Sequence, residues 1–314
     1  MVELPEIGCP FPVRENPHAA DTEQYLRETL DGCGADGRLG GIGIGTLAGL
    51  SYPDVEPEAL RIAALWFAFF WLFDDAWADR LPPEALAEVG PIHGRVAAIL
   101  SGATPTQAEH PSLRLLDVLL GAIRAWRPDW DPAHFHREIL RYVRATLWEV
   151  AVRRAAVVPS LSDYLRMRPL VAAVPPSREL DFLLCDLRLE PVLRDHPVVE
   201  LADAAAGNYS CWVNDLCSLD TERKSTVNLV VVAGHAFGWP QSRAKEWVAE
   251  LARDEVATFQ FLRRELRSGV LPYTPLCDPA RAVAELERYL ARYEGWFVAS
   301  AAWMPTTPRY GATK

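Results

Sequence analysis

Apolar residues recur at helical spacing along most of the chain, and the strict alternation of a half-buried strand is scarce. Periodic segments predict helices over 18–30, 57–79, 83–100, 111–127, 132–157, 178–188, 197–221, 240–267 and 279–303. Asp54 and Pro57 supply the cap and first turn of the second. Prolines and glycines mark the joints, at Pro82 and Pro83, Pro128, Pro159, Pro175 and Pro176, and Gly238. The best β-branched run, 227–233, follows helical sequence and suits a core helix. Residues 1–17 hold Pro5, Pro10, Pro12 and Pro17 and read as an irregular N-terminal arm. With no internal repeat and no linker, the pattern predicts an all-α chain, one domain over 1–314 with about ten helices. Such bundles build metal and ligand sites from side chains on facing helices.

One segment breaks the usual pattern of a buried helix. Twelve unbroken apolar residues, Ile62 to Phe73, run into Asp74 and Asp75, with Asp79 close behind. Buried aspartate is costly unless paired or bound to metal. On a helix Asp75 and Asp79 share a face one turn apart, with Asp74 about 100° away. Two readings stand: a helix end breaking into solvent, or hard oxygen ligands for Mg²⁺, which also binds substrate phosphates.

Composition narrows the classes. Half of the 314 residues are hydrophobic and 24% are charged, as in a globular protein with a sizeable core. A net charge of −10 argues against nucleic acid and against anionic membranes as partners, so any bound anion needs local cations or metal. The six cysteines form no CxxC or Cys/His pattern, which argues against zinc. The N-terminus lacks a signal-peptide pattern, and the apolar run is short of the ~20 residues that span a bilayer. A cytoplasmic protein without membrane insertion is expected. The glycine-rich segment 40–45 is neither GxGxxG nor a Walker A loop and reads as a loop or a close-packed helix start.

A second polar cluster follows at Asn214, Asp215, Ser218 and Glu222. Asn214, Ser218 and Glu222 recur at i, i+4 and i+8, so a helix lines them on one face. Amide, hydroxyl and carboxylate oxygens suit a second hard cation, while a solvated helix face is the plainer reading. Trp212, Val213, Leu216 and Leu219 make the helix partly buried, and a buried polar stripe needs partners.

Together the two clusters resemble the metal motifs of bacterial class I terpene synthases: Asp74-Asp75-xxx-Asp79 their DDxxxD motif, and Asn214-Asp215-xx-Ser218-xxx-Glu222 their NDxxSxxxE triad. Arg309-Tyr310 resembles the pair ending many bacterial members, and Arg168, 46 residues before Asn214, stands where they keep a diphosphate-sensing arginine. Tyr164 and the opening Phe11-Pro12-Val13-Arg14-Glu15-Asn16-Pro17 extend the likeness, which runs from residue 11 to residue 310. It implies an α-helical bundle around a deep central cavity, with residues 304–314 as a C-terminal cap. It implies three Mg²⁺ ions on Asp74, Asp75, Asn214, Ser218 and Glu222, with Asp79 a ligand or an orienting group. A linear prenyl diphosphate, farnesyl first and geranylgeranyl next, would be ionised and cyclised to a hydrocarbon or alcohol. Arg168, Arg309 and Tyr310 would hold its diphosphate. Phe67, Phe70, Trp71 and Trp303 would offer ring faces to the carbocation, although core packing explains any single ring as well. An antiparallel homodimer would fit the family.

Two departures stand out. Many bacterial relatives carry a basic residue just before the final glutamate; here it is Thr221, and Lys224 is the substitute, or else a surface lysine. Val171 and Ala172 replace the polar linker and glycine that follow the sensor arginine, and the carbonyl of Ala172 could still serve. A trans-prenyltransferase would want a second aspartate-rich motif, and a non-catalytic isoprenoid carrier would need neither metal cluster. A class II cyclase would want DxDD, which is absent.

Overall fold

The apolar run does become the central element of the protein. A computed structural model of the chain describes residues 5–35, 37, 39–79, 89–221 and 225–311. The run forms α3 (Pro57–Asp74), with Pro57 in its first turn and Ala59, Leu60, Ile62 to Trp66, Ala68, Phe69, Trp71 and Phe73 all buried. A helix apolar on nearly every side must sit among other helices. Around it lie α1 (Ala19–Gly32), α2 (Ile44–Ser51), α4 (Val89–Leu100), α5 (Pro111–Trp126), α6 (Ala133–Ala155), α7 (Leu161–Val171) and α8 (Val174–Leu184). The short α9 (Pro191–Arg194) precedes α10 (Pro197–Ser218), α11 (Leu229–Phe237), α12 (Gln241–Glu265) and α13 (Pro279–Trp303). No strand occurs among the described residues, and the run at 227–233 is capped helix: the Asn228 side chain accepts from Val230 N at 3.0 Å. Among the described residues no helix is long and apolar enough to cross a membrane.

Two helices lie where no periodic segment predicted one, and one predicted helix is shifted. The glycine-rich segment 40–45 is the close-packed start of a helix, α2, which is one of its two expected readings. Gly45 sits there because a Cβ would lie 2.4 Å from the carbonyl oxygen of Ala19 on α1. The segment 161–171, which also carried no prediction, is α7, capped where the Ser160 side chain accepts from Asp163 N at 3.1 Å. The predicted helix 178–188 is α8, shifted to Val174–Leu184. α7 and α8 cannot be one helix, because Pro175 and Pro176 have no N–H to offer the carbonyls of Val171 and Ala172. The chain turns between them at Ala173, whose φ is +54°.

Two buried polar clusters tie the lower half of the bundle together. Arg292 on α13 pairs with Asp181 on α8, and Tyr52 donates to the same carboxylate at 2.7 Å. Burial pushes the Asp181 carboxyl up to about 6, against the opposing pull of Arg292. Beside it, Arg178 on α8 pairs with Asp203 on α10 at 2.6 Å, and Tyr289 donates to Asp203 at 2.7 Å. α13 reaches α2 closely enough that a Cβ at Gly295 would meet Ser51 O at 2.2 Å. The helices enclose a cavity that opens beside the C-terminal end of α3.

Candidate active site

Aspartates 74 and 75 part company at the end of α3. From Asp75 to Asp79 the backbone widens into a π-helical turn, so the 100° spacing of an ordinary helix does not carry through. Asp74 lines the central cavity. Asp75 lines a neighbouring hollow with Leu39, Ile42 and His110, and takes a forked pair of bonds from Arg309, at 2.8 and 3.4 Å. The side chain of Asp79 lies outside the described residues, as do Glu222 and Lys224.

α10 brings the second cluster to the facing wall. The Asn214 carbonyl oxygen accepts from Arg168 Nη2 at 2.7 Å, and its amide nitrogen donates to Tyr310 Oη at 2.5 Å. Ser218 is buried one turn further on, its hydroxyl 3.5 Å from the Asn228 amide. Asp215 points the other way, into the protein. Only 2% exposed, it accepts from Tyr164 Oη at 2.6 Å, Arg168 Nε at 2.9 Å and Leu229 N at 3.1 Å. Burial raises its carboxyl above the ordinary range, and Arg168 opposes that. For Arg168 burial works to strip the proton, but Asp215, Tyr164 and further neighbours together outweigh it and hold the guanidinium charged. Asp215 therefore fixes Arg168, so that a second edge of the guanidinium reaches Asn214. Asp215 stands within the second motif, yet spacing alone assigns it no role.

The C-terminal segment closes the ring of polar groups. Thr307 caps the turn Pro308–Tyr310, accepting from Arg309 N at 3.3 Å, and donates to Ile42 O at 2.8 Å. The glycine-rich segment thus offers carbonyls to the C-terminus, since Gly43 O also accepts from Trp303 Nε1 at 2.7 Å. Arg309 and Tyr310 reach Asp75 and Asn214 from this anchored turn. Burial works against the charge on Arg309, but neighbouring Tyr310 and Asp75 hold it cationic.

Below the rim, the cavity runs down between α3, α10 and α13. Phe67, Phe70, Trp71 and Ala172 all line it, as the sequence reading expected of pocket residues. Trp303 does not. It stacks on Trp71 at 5.2 Å, and Trp71 is the ring of the pair that lines the cavity. Trp296, Ser300 and Ser210 complete the deeper wall, and Glu149 and Arg153 from α6 join the upper part. None of these five carried a sequence signal, because none belongs to a short motif.

The donor set facing the cavity is made of oxygens: the Asp74 carboxylate, the Asn214 amide and, behind it, the Ser218 hydroxyl. That chemistry fits a hard divalent cation and not zinc or a soft metal. Among the described residues no three His, Cys, Asp or Glu side chains form a cage, as expected where amide and hydroxyl ligands share the work.

Comparison with known proteins agrees with this geometry. The family described as "Terpene synthase family 2, C-terminal metal binding" matches residues 65–258. The (+)-T-muurolol synthase of Roseiflexus castenholzii, described as cyclising (2E,6E)-farnesyl diphosphate, is 29% identical over 86% of this chain and 80% of its own. The 4-epi-cubebol synthase of Streptosporangium roseum, with the same substrate in its name, is 26% identical over 85% and 83%. Among solved structures, germacradien-4-ol synthase from Streptomyces citricolor superposes with a TM-score of 0.82. It is 25% identical, covering 98% of this chain and all of that one.

Proposed function

The chain belongs to the class I terpene synthase family, and from that membership we propose that it cyclises farnesyl diphosphate with Mg²⁺, in three ions, as its metal. The observation that carries this reading is one cavity with two ends. Its rim gathers Asp74, Asn214, Arg168, Arg309 and Tyr310, and its walls carry Phe67, Phe70, Trp71 and Trp296. Asp74, Asn214 and Ser218 are the described residues we assign to metal, joined by Glu222, with Asp75 and Asp79 beside them. Bound there, the cations would neutralise the diphosphate and stabilise the charge it gains on leaving.

The protein's own groups do the rest. Arg168 is held in place by Asp215, and Arg309 and Tyr310 by the Thr307 turn, so all three donors are pre-aimed at the rim. Arginine suits this task, since its fork matches paired phosphoryl oxygens. When the allylic C–O bond breaks, the electron pair leaves with the diphosphate and an allylic cation remains among the rings. Each ring face can stabilise that cation by about 0.5–2 kcal/mol without forming a bond to it. The Ala172 carbonyl lies at the break between α7 and α8, at the cavity wall, and we assign it a dipolar role as ionisation begins. Residues 304–311 exclude water from the rim. We further propose a cytoplasmic enzyme of one domain.

Incubation with geranyl, farnesyl and geranylgeranyl diphosphates in Mg²⁺, followed by mass spectrometry of volatile products, tests the reading. A cyclic C15 hydrocarbon or alcohol is expected from farnesyl diphosphate. Release of no product from any of the three would overturn the assignment, and a C10 or C20 product alone would overturn the chain length.

A further inference from the structure

Arg153 stands at the cavity wall with no part in the ligand sets above. It projects from the last turn of α6 and lines the same cavity as Arg168, Asn214 and Arg309. Glu149, one turn earlier, accepts from Arg153 Nε at 3.2 Å and from Nη2 at 2.7 Å. Nη1 donates to the hydroxyl of Ser225 at 3.0 Å. Ser225 lies four residues before α11, and Val227 two residues on lines the cavity too. Thr221, at the end of that cluster, brings no charge of its own.

We propose that Arg153 is a third diphosphate-binding arginine, which exchanges its Ser225 bond for a phosphoryl oxygen when substrate enters; this rests on the prenyl diphosphate reading. The physical case has three parts. Glu149 fixes one edge of the guanidinium through a pair four residues apart on the same helix, so little rotamer freedom is lost on binding. The group it would give up is a neutral hydroxyl, and an anionic oxygen is the stronger partner for an arginine N–H. A chain of net charge −10 must also gather its cations locally to hold a polyanion. Arg153 comes from α6, Arg168 from α7 and Arg309 from the C-terminal turn, so the three would grip the diphosphate from three separate elements.

The test uses two probes: inorganic diphosphate with Mg²⁺, and farnesol, which fills the apolar cavity but carries no phosphate. Titration calorimetry of Arg153→Gln should show diphosphate bound about tenfold more weakly, with farnesol affinity unchanged. kcat/KM for farnesyl diphosphate should fall at least as far. Arg153→Lys, which keeps the charge and the Glu149 pair, should recover part of the loss, and it decides the matter if the glutamine variant does not fold. Ser225→Ala should leave diphosphate affinity equal to or slightly above the wild type. Unchanged diphosphate affinity in both Arg153 variants would overturn the proposal, as would equal weakening of diphosphate and farnesol, the sign of a purely structural role. Wild-type protein that bound no diphosphate in Mg²⁺ would instead overturn the underlying functional reading.

Discussion

Asn214 and Asp215 are adjacent in sequence, and the geometry predicts opposite signatures when each is changed. Asp215→Asn removes the buried partner of Arg168, whose side chain is 15% exposed against 2% for the aspartate. Breaking a buried ion pair at one end costs about 3–5 kcal/mol, because the remaining charge has lost its compensation. The amide also presents a donor to the donor groups of Tyr164, Arg168 and Leu229. With an unfolding entropy of ~2.1 cal/mol/K per residue over 314 residues, each kcal/mol is worth about 1.5 °C, so Tm should fall by ~5–8 °C. Arg168 then loses the anchor that aims it at the rim, and a misplacement of about 1 Å can cost ~100-fold in rate. Asn214→Ala should behave the other way. It removes two rim hydrogen bonds, about 1 kcal/mol each, so Tm should fall by only ~3 °C, less than in Asp215→Asn. Yet it deletes a proposed metal ligand, so turnover should fall steeply. The deciding assay is differential scanning fluorimetry with and without Mg²⁺ and inorganic diphosphate, beside steady-state turnover. Ligand stabilisation follows RT ln(1 + [L]/Kd), so it should vanish in Asn214→Ala and persist, diminished, in Asp215→Asn. Wild-type Tm and turnover in Asp215→Asn would refute the positioning role. Full stabilisation of Asn214→Ala by Mg²⁺ and diphosphate would refute the ligand role.

Three further outcomes are expected. Trp303→Leu removes the stack on Trp71, worth about 0.5–1.5 kcal/mol, and the bond to Gly43 O; it should shift the product ratio as Trp71 loosens, and an unchanged product profile by gas chromatography would count against that. Asp181 has a folded-state pKa of about 6, above its ordinary value, so its protonated form contributes stability that is complete below about pH 4 and lost as pH rises through 6. The wild type should lose up to ~3 kcal/mol of unfolding free energy from this group over that window, and Asp181→Asn should flatten the slope, which urea titrations from pH 4 to 6.5 would check; equal slopes refute it. Treatment with EDTA should abolish turnover and Mg²⁺ restore it, whereas full activity in the chelator would remove the metal from the reading.

What the sequence made legible is what short-range spacing encodes. Asp74, Arg168, Asn214, Arg309 and Tyr310 each sit in a local pattern, and each reaches the cavity rim. The residues it missed depend on which face of a distant helix turns inward. Glu149 and Arg153 lie on α6 among many other charged positions, and only the packing of α6 selects them. The wheel already set Asp74 about 100° from Asp75; what spacing could not show is that Asp75 accepts from Arg309 on the C-terminal turn. Trp303 was correctly placed near the C-terminal pair but stacks on Trp71, the ring of the two that lines the cavity. α2 showed only as a loop or a close-packed helix start because Gly45 and Gly49 lower helix propensity, while the close approach of α1 demands them.

The same division bears on how this enzyme can change. The diphosphate grip depends on charged groups fixed by partners: Arg168 by Asp215, the C-terminal turn by Thr307 and Ile42, Arg153 by Glu149. A substitution there disturbs a chain of bonds and should lower the rate for every substrate alike. The deeper wall, with Trp296, Ala299, Ser300 and Ser210, is held mainly by packing, and its polar members bond chiefly to each other, Ser300 to Ser210 at 2.9 Å. Changes of one or two methyl groups there alter the contour of the cavity and leave the rim intact. Product identity should therefore vary more readily than the ionisation step, and Ser300→Ala should alter product proportions with less than a tenfold change in kcat, about 1.4 kcal/mol. A larger loss of rate with the product ratio preserved would mean that this hydroxyl pair serves ionisation, and the separation of rim from wall would fail.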